Sequence, residues 1–191
     1  MSQGSQENEI KLAVADAAAV RGLLRRVGFR LARRRVFEAN TVFDTPRLTL
    51  RRGSRLLRLR QAGRVITLTF KGRALPGPHK NREELEIRLP DAARFAAILA
   101  RLGFHPVFRY EKYRTEFRME HGPGMAMLDE TPIGLYLELE GPPAWIDRTA
   151  RRMGFSQSDY ITASYASLYL AWCKQQGLKP GDMVLKAPIV K

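Results

Sequence analysis

Several segments of the 191-residue chain alternate charged or polar side chains with large apolar ones. In the segment ENEIK, Glu7, Glu9 and Lys11 occupy every second position. Successive side chains of a β-strand point to opposite faces, so a strand here would place these three side chains on one face. The same alternation recurs in RLLRLR, VITLTFK, FRYEKYRTEFRM and GLYLELE. The pattern therefore predicts that much of the protein is built from β-strands.

Three strands with paired glutamates are each followed by a segment in which apolar residues recur at helical spacing. These strand-to-helix units are residues 7–29, 83–104 and 138–155, and each ends in Gly-Phe. Asp16 and Asp91 are the predicted N-caps of the first two helices. Amphipathic helices need an apolar surface to cover, so we predict an α+β protein in which helices pack outside an antiparallel sheet or barrel.

The remainder of the chain contains shorter patterns that predict a loop, a C-terminal helix and a tail. A loop rich in Pro and Gly is predicted over residues 75–81, and a C-terminal helix over residues 158–177. Residues 1–176 show no internal linker and are expected to form one domain, and residues 177–191 lack a clear period and are expected to form a mobile tail. A homodimer is plausible for a chain with this much outer sheet.

The compartment is expected to be the cytoplasm. No apolar run approaches the roughly 20 residues that span a bilayer, so no membrane segment is expected. The segment MSQGSQENE lacks the basic and then apolar character of an export signal. The chain has one cysteine, Cys173, which fits a reducing environment because an internal disulfide needs two.

The balance of charge points to an anionic partner. The chain has 33 Lys and Arg against 19 Asp and Glu, for a formal net charge of +14. Nucleic acid is one candidate, but its binders usually gather basic residues on a tail, a stripe or a helix. Here the basic residues are spread along the chain, and many of them lie in the alternating segments. That distribution suits a pocket for a small polyanion at least as well.

Alternation within the strands leaves two arrangements open. In the commoner one, the charged faces of an antiparallel sheet meet water and the apolar faces form the core. In the other, the sheet closes so that the charged faces surround a hydrated lumen and the apolar faces lie beneath the helices. The helices between the strands favour the second arrangement, because they require an apolar outer face.

The order of motifs resembles the CYTH superfamily, also known as the triphosphate tunnel metalloenzymes. ENEIK at 7–11 fits the ExExK signature of that family, which is weak alone because three charged residues occur by chance in many chains. Its companions follow in the family's order and extend the resemblance over almost all of residues 7–170. They are FDTP at 43–46, LLRLR at 56–60, TLTFKG at 67–72, REELEI at 82–87, EKYR at 111–114, LDETPIGLYLELEG at 128–141 and DYITASY at 159–165.

The resemblance implies an eight-stranded antiparallel β-barrel whose tunnel binds a triphosphate and a divalent metal, Mg²⁺ or Mn²⁺. A triphosphate carries about four negative charges, which explains a convergence of basic residues. The substrate-binding residues that the resemblance implies are Lys11, Arg58, Arg60, Lys71, Lys112 and Arg114. Carboxylates in the same cavity would repel the phosphates unless a hard cation lay between them. The implied metal ligands are Glu7, Glu9, Glu138 and Glu140.

The remaining assignments concern the catalytic residues and three further carboxylates, for which two roles each are considered. Glu7, Glu9 and Lys11 are the predicted catalytic residues, with Glu7 or Glu9 orienting an attacking water. Glu84 and Glu86 are accessory candidates that could instead form salt bridges in the tunnel wall. Asp129 is expected to shape a turn or orient an arginine of the wall, with direct metal ligation less favoured.

Three functions are compatible with these residues. Hydrolysis of an inorganic or organic triphosphate is the first hypothesis, and a class IV adenylate cyclase that makes cyclic AMP and diphosphate from ATP is the second. The third is a non-catalytic module that binds RNA or another long polyanion, which would depend on salt but not on metal. Glutamates beside the basic residues make nucleic acid the less expected partner.

Overall fold

The computed structural model describes residues 5–185, and eight antiparallel strands close into one barrel. The order around the barrel is β1-β5-β4-β3-β2-β6-β7-β8, so that β8 pairs with β1. The strands are β1 (Ser5–Val14), β2 (Phe29–Asp44), β3 (Leu56–Ala62), β4 (Val65–Lys71), β5 (Lys80–Leu89), β6 (His105–Met119), β7 (Met125–Thr131) and β8 (Gly134–Glu140). The predicted barrel is therefore confirmed.

Helices connect the strands and pack on the outside. They are α1 (Ala17–Arg26), α2 (Thr49–Arg52), α3 (Ala92–Arg101), α4 (Pro143–Arg152) and α5 (Tyr165–Gln175). Asp16 caps α1 by accepting the Ala19 N–H at 2.6 Å, and Asp91 caps α3 in the same way. Gly28 ends the first unit with a φ of 98°, which an L-residue with a side chain rarely adopts. The three strand-to-helix units of the sequence are thus β1–α1, β5–α3 and β8–α4.

The apolar faces of the strands point outward and form the core with the helices. Ile10 and Leu12 of β1 and Leu139 of β8 are fully buried in a cluster with α1 and α4. A second cluster joins β2, β3 and β4 to Leu99 of α3. Because the helices cover these faces, the alternating charged side chains face the barrel interior. This is the less common of the two arrangements that alternation leaves open.

The C-terminal helix is shorter than its sequence pattern predicts. Residues Gln157–Asp159 form a 3₁₀ turn, and α5 begins at Tyr165, where Ser164 caps it by accepting the Ser167 N–H at 3.1 Å. Between these elements, Ile161 exchanges two backbone hydrogen bonds of 2.9 Å with Lys11 of β1. This extended segment consequently packs along β1, and α5 follows it, with Tyr165 packed against Tyr110.

Part of the expected tail makes specific contacts. The Met183 N–H donates to the Arg109 carbonyl and the Glu111 N–H donates to the Met183 carbonyl, each at 2.9 Å. Met183 is 1% exposed and packs against Tyr110 and Tyr165. Residues up to 185 therefore extend along β6, and residues 186–191 of the expected tail lie outside the described residues. Among residues 5–185, no helix combines the length and the apolar character needed to cross a bilayer.

Candidate active site

The barrel encloses a cavity of about 380 Å³ that charged side chains line from several strands. The lining includes all of the predicted site residues except Glu9 and Asp129. These lining residues are Glu7, Lys11, Arg58, Arg60, Lys71, Glu84, Glu86, Lys112, Arg114, Glu138 and Glu140. Glu9 and Asp129 are buried behind this surface and contact residues that line it. The structure thus brings the predicted residues together around one enclosed volume.

Strand β1 sets the spacing of the first part of the site. Antiparallel pairing places Glu9 opposite Glu140 and Lys11 opposite Glu138 of β8. The Glu9 carboxylate accepts hydrogen bonds from Lys11 Nζ at 3.1 Å and Lys80 Nζ at 3.0 Å. Burial alone would raise the pKa of Glu9, but the attraction of Lys11, Lys80 and other cations outweighs it and holds that pKa well below its usual range. Glu9 is therefore an ionised group between two lysines.

A second region, which we call the acid-rich wall, consists of Glu7, Glu84 and Glu140. Lys71 Nζ lies 2.5 Å from Glu7 Oε1 and 3.1 Å from Glu84 Oε2, so one lysine serves two carboxylates. Glu140 has no salt bridge within residues 5–185. Burial and the neighbouring Glu7 raise the pKa of Glu140 to about 7. Glu140 is thus the carboxylate of this wall without a cation beside it in the described residues.

A neighbouring region, the paired wall, consists of Lys112, Arg114, Asp129 and Glu138 on β6, β7 and β8. Asp129 is fully buried and accepts two hydrogen bonds of 2.6 Å from Arg114 Nε and Nη2, in a fork that matches the two carboxylate oxygens. Lys112 Nζ donates to the same carboxylate at 2.7 Å. Glu138 pairs with Arg114 and lies 3.4 Å from Lys11. Each carboxylate of this wall therefore has a cation beside it. Asp129 contacts Arg114, in line with the expectation from the sequence that it orients an arginine of the wall.

An aromatic residue of α5 completes the paired wall from outside the barrel. The Tyr165 hydroxyl donates to Asp129 Oδ2 at 2.6 Å. Lys112 Nζ and Lys11 Nζ lie 5.0 and 5.3 Å from the centre of the Tyr165 ring, within the range of cation–π attraction. Because Tyr165 also lines the cavity, α5 closes this part of the lumen and fixes two lysines at once.

Strand β3 contributes the two arginines of LLRLR. Arg58 donates to the Tyr110 hydroxyl at 3.2 Å and to Thr69 Oγ1 at 3.3 Å, and both of these partners are neutral acceptors. Arg60 donates to Glu86 Oε2 at 3.1 Å. Glu86 and Glu84 therefore form salt bridges within the wall, to Arg60 and Lys71 respectively. Of the two arginines, Arg58 has the greater capacity to bind an added anion.

Comparison with known proteins shows to which family the chain belongs. The CYTH domain model matches residues 5–165, which span the eight strands. The chain belongs to the CYTH domain family. A Methanocaldococcus jannaschii protein, named as a proposed adenylate cyclase, is 30% identical over 135 residues, which are 70% of this chain and 75% of that protein.

Solved structures share the CYTH barrel at lower sequence identity. A Pyrococcus horikoshii protein matches with a TM-score of 0.74 and 23% identity, covering 86% of this chain and 98% of its own. A Hippeastrum protein matches with a TM-score of 0.63 and 19% identity, covering 91% of this chain and 97% of its own. The latter is described as a proposed adenylyl cyclase with a dominant triphosphatase activity. At these identities the two structures establish the fold.

The CYTH barrel also buries charged residues that the sequence reasoning missed. Glu38 of β2 is 1% exposed and lies 3.7 Å from Lys112 Nζ. Burial opposes its ionisation, but Lys112, Arg114, Arg60 and Arg58 outweigh that cost and lower the pKa of Glu38 to about 2. Register shifts between Leu31 and Val36 disturb the alternation of β2, which is why its inward parity was not recognised.

Lys80 was missed for a different reason. The predicted loop over residues 75–81 was too long, because β5 begins at Lys80. Arg82 donates to Glu7 Oε2 at 3.1 Å, and both basic residues line the cavity. Burial lowers the pKa of Lys80 to about 8, despite the attraction of Glu9. The regular alternation of Lys80, Arg82, Glu84 and Glu86 was the signal that could have revealed Lys80.

Divalent metal ions are expected in CYTH proteins, so the fit of the carboxylates to such an ion can be tested. Within the described part of the chain, no group of three or more His, Cys, Asp or Glu is close enough to hold an ion alone. The donors available around the cavity are nevertheless carboxylates, the ligands that Mg²⁺ and Mn²⁺ prefer. Mutual repulsion on the acid-rich wall also favours an added cation. The residues fit an ion that takes some of its ligands from bound phosphates.

Proposed function

We propose that this protein is a divalent-metal-dependent enzyme that hydrolyses a triphosphate inside its barrel. The convergence of basic and acidic side chains on one cavity of about 380 Å³ supports this proposal. That volume suits a small ligand, which typically occupies about 300–1,000 Å³. Because the basic residues converge on this small cavity inside the barrel, a short phosphate chain fits them better than a folded nucleic acid does.

The phosphate chain is expected to exchange partners with the carboxylates of the cavity. In the structure, Lys71, Arg82 and Arg60 are occupied by Glu7, Glu84 and Glu86. Phosphate oxygens are equivalent acceptors for these donors, and arginine can hold two of them at once. Arg58, whose acceptors are neutral, would bind phosphate without giving up an ion pair. Binding would then release carboxylate oxygens at the acid-rich wall.

Of the carboxylates that phosphate would displace, Glu7 is also one of the proposed metal ligands. Glu7, Glu9, Glu138 and Glu140 are the residues that we assign to Mg²⁺ or Mn²⁺. When bound, the ion would neutralise phosphate charge and polarise the phosphorus–oxygen bond that breaks. The assignment of Glu9 and Glu138 requires that they loosen contacts with Lys11 and Arg114, whereas Glu140 is already without a salt bridge in the described residues.

The protein groups would act mainly by position and charge. Water attacks the terminal phosphorus, and the bond to the departing diphosphate breaks while basic residues compensate the charge on its oxygens. Glu7 lines the cavity and is better placed than Glu9 to orient the water, because Glu9 lies behind the surface between two lysines. Lys112 and Arg114 remain anchored on Asp129 during this step, so their charges need no rearrangement.

A class IV adenylate cyclase is the second candidate, supported by the name of the Methanocaldococcus jannaschii relative. In that reaction the ribose 3′ hydroxyl of ATP attacks the α-phosphorus, and diphosphate leaves. The same basic residues would bind the phosphates. The triphosphatase is placed first because the described charges account for a phosphate chain, and the Hippeastrum neighbour is described with dominant triphosphatase activity.

Product analysis distinguishes the candidates. The pure protein is incubated with tripolyphosphate, ATP or thiamine triphosphate, with Mg²⁺, Mn²⁺ or a chelator, and the products are followed by ³¹P NMR and chromatography. Metal-dependent release of orthophosphate supports hydrolysis, and cyclic AMP with diphosphate supports the cyclase. Absence of turnover, together with salt-sensitive binding to long RNA that needs no metal, would contradict both enzymes.

A further inference from the structure

A partly buried polar contact lies outside the barrel, on the side of α4. Asp147 of α4 accepts one hydrogen bond from the Tyr160 hydroxyl at 3.0 Å. His79 Nε2 lies 2.8 Å from the same carboxylate oxygen. The His79 and Tyr160 rings are 5.8 Å apart, so the three side chains form one compact group, which we call the Asp147 hub. The His79 side chain is only 9% exposed, so loss of Asp147 would leave a buried ring without this partner.

Both partners of Asp147 stand next to backbone that carries a lysine of the active site. His79 immediately precedes Lys80, whose Nζ contacts Glu9 at 3.0 Å. Tyr160 immediately precedes Ile161, which exchanges two backbone hydrogen bonds of 2.9 Å with Lys11. Lys11 Nζ is the other contact of Glu9, at 3.1 Å. The hub is therefore one residue away from each of the two segments that hold the lysines of Glu9.

These segments have little regular structure to hold them in place. Lys80 is the first residue of β5, and its pairing with Glu9 is the last contact between β5 and β1. Beyond it, the position beside β1 is taken by the extended segment at Ile161, which pairs with Lys11 alone. A strand end and an isolated bridge are places where a backbone opens easily. A shared anchor on a helix would hold both of them against the barrel.

We propose that Asp147 is a positioning residue, which acts through His79 and Tyr160 to hold Lys80 and Lys11 around Glu9 for phosphate binding. This inference rests on the proposed function, because it assumes that the two lysines serve an anionic substrate. Asp147 itself lies outside the cavity and does not touch the substrate. Its carboxylate joins the two segments through His79 and Tyr160.

A double-mutant cycle tests this role through tripolyphosphate binding, measured by calorimetry. Asp147→Ala should raise the Kd on the order of tenfold, whereas Asp147→Asn, which keeps an acceptor oxygen, should stay within about threefold of the natural protein. In a Lys80→Met background the effect of Asp147→Ala should shrink to about threefold, because one of its two routes is gone. Equal effects in both backgrounds, or no effect, would overturn the proposal.

A matched control separates positioning from lost stability. Asp91→Ala removes the N-cap carboxylate of α3, which accepts the Arg94 N–H at 3.0 Å on another part of the barrel surface. This variant should lower the melting temperature and leave the Kd for tripolyphosphate unchanged. If Asp91→Ala weakened binding as much as Asp147→Ala, the effect would reflect general destabilisation and the role of the hub would be rejected.

A ligand-free measurement keeps this inference distinct from the proposed function. The side-chain NMR signals of Lys11 and Lys80, assigned with Lys→Arg variants, should shift in Asp147→Ala and stay in place in Asp91→Ala. If the natural protein failed to bind or hydrolyse triphosphates, the proposed function would be wrong. The NMR comparison would still show whether the Asp147 hub positions Lys11 and Lys80. Unchanged lysine signals in Asp147→Ala would contradict the positioning role.

Discussion

The two walls of the cavity contain similar residue types but differ in how their charges are balanced. On the paired wall, Asp129 holds Arg114 and Lys112, and Glu138 pairs with the same arginine. On the acid-rich wall, Glu7 contacts Lys71 and Arg82, the same lysine also serves Glu84, and Glu140 is without a salt bridge in residues 5–185. Burial and neighbouring carboxylates raise the pKa of Glu7 and Glu140, whereas Arg114 and Lys11 hold that of Glu138 far below its usual range despite its burial.

The difference shows how one barrel can contain charged groups that stabilise the structure on one wall and charged groups available for ligands on the other. A buried ion pair with complete hydrogen bonding fixes side chains in place, because breaking it would leave a charge in a poorly solvated site. Carboxylates that repel one another leave free energy to be gained when a cation arrives. The paired wall thus provides a rigid set of donors, and the acid-rich wall provides the place where added positive charge is most favourable.

The largest effect should follow removal of the central carboxylate of the paired wall. Asp129→Ala would leave Arg114 and Lys112 without their shared carboxylate inside the barrel. Loss of one partner of a buried ion pair typically lowers the free energy of unfolding by about 3–5 kcal/mol. Urea denaturation followed by circular dichroism measures this change. Glu140→Gln is the matched control, and it should alter the free energy of unfolding by less than about 1 kcal/mol. Similar costs for both substitutions would mean that the walls do not differ.

Glu140→Gln, which should hardly change stability, should strongly reduce triphosphatase activity. Glu140→Gln keeps the shape of the side chain but removes a negative charge from the acid-rich wall. We expect triphosphate turnover to fall at least on the order of 100-fold, since even outer partners of metal ligands are worth about 10–100-fold. Steady-state kinetics with saturating Mn²⁺ measures the loss. Turnover within threefold of the natural protein would remove Glu140 from the proposed metal site.

Glu38, which lies beside Lys112 of the paired wall, should make the protein less stable in acid. The pKa of Glu38 is lowered to about 2 from an ordinary 4.5, so its stabilising contribution is complete above about pH 5.5 and decreases as the pH falls towards 2. From pH 5.5 to 3, this one group accounts for about 2 kcal/mol. Urea unfolding at both pH values should therefore show a smaller decrease for Glu38→Gln than for the natural protein. Equal decreases would show that Glu38 is not held ionised by Lys112.

The smallest of these effects concerns substrate affinity. Arg58→Ala removes a partly buried donor whose side-chain hydrogen bonds within residues 5–185 go to Tyr110 and Thr69, so the ion pairs of both walls remain. Loss of one charge-assisted hydrogen bond is worth about 1.5 kcal/mol, or roughly a tenfold rise in KM. Kinetic measurement should find kcat within about threefold, as expected when an interaction is equal in the ground and transition states. A fall in kcat with unchanged KM would assign Arg58 to the transition state instead.

Regular strands made much of this arrangement predictable. Glu7, Glu9, Arg58, Lys112 and Glu138 lie in uninterrupted alternation, and the helices that follow β1, β5 and β8 required an apolar outer face. The resemblance to the CYTH superfamily then decided between an inward and an outward charged face. Fold and cavity membership could therefore be predicted from local pattern and motif order.

Pairing within the cavity could not be predicted in the same way. Which carboxylate meets which cation depends on the register between strands that are distant in sequence, such as Lys71 opposite Glu84, or Arg114 opposite Asp129. Tyr165 reaches Asp129 from a helix whose start was predicted too early, and no periodicity connects Asp147 with His79. These contacts are set by tertiary packing, and the sequence pattern indicates only that their members are polar.

Joint binding of metal and phosphate by the two walls can be observed directly in crystals grown with tripolyphosphate and Mn²⁺, with data collected at the manganese absorption edge. The account predicts an anomalous peak among the carboxylates of Glu7, Glu9, Glu138 and Glu140, next to a phosphate chain held by Arg58 and Arg114. A fully occupied manganese and phosphate site outside the barrel, with the cavity ion pairs unchanged, would contradict it.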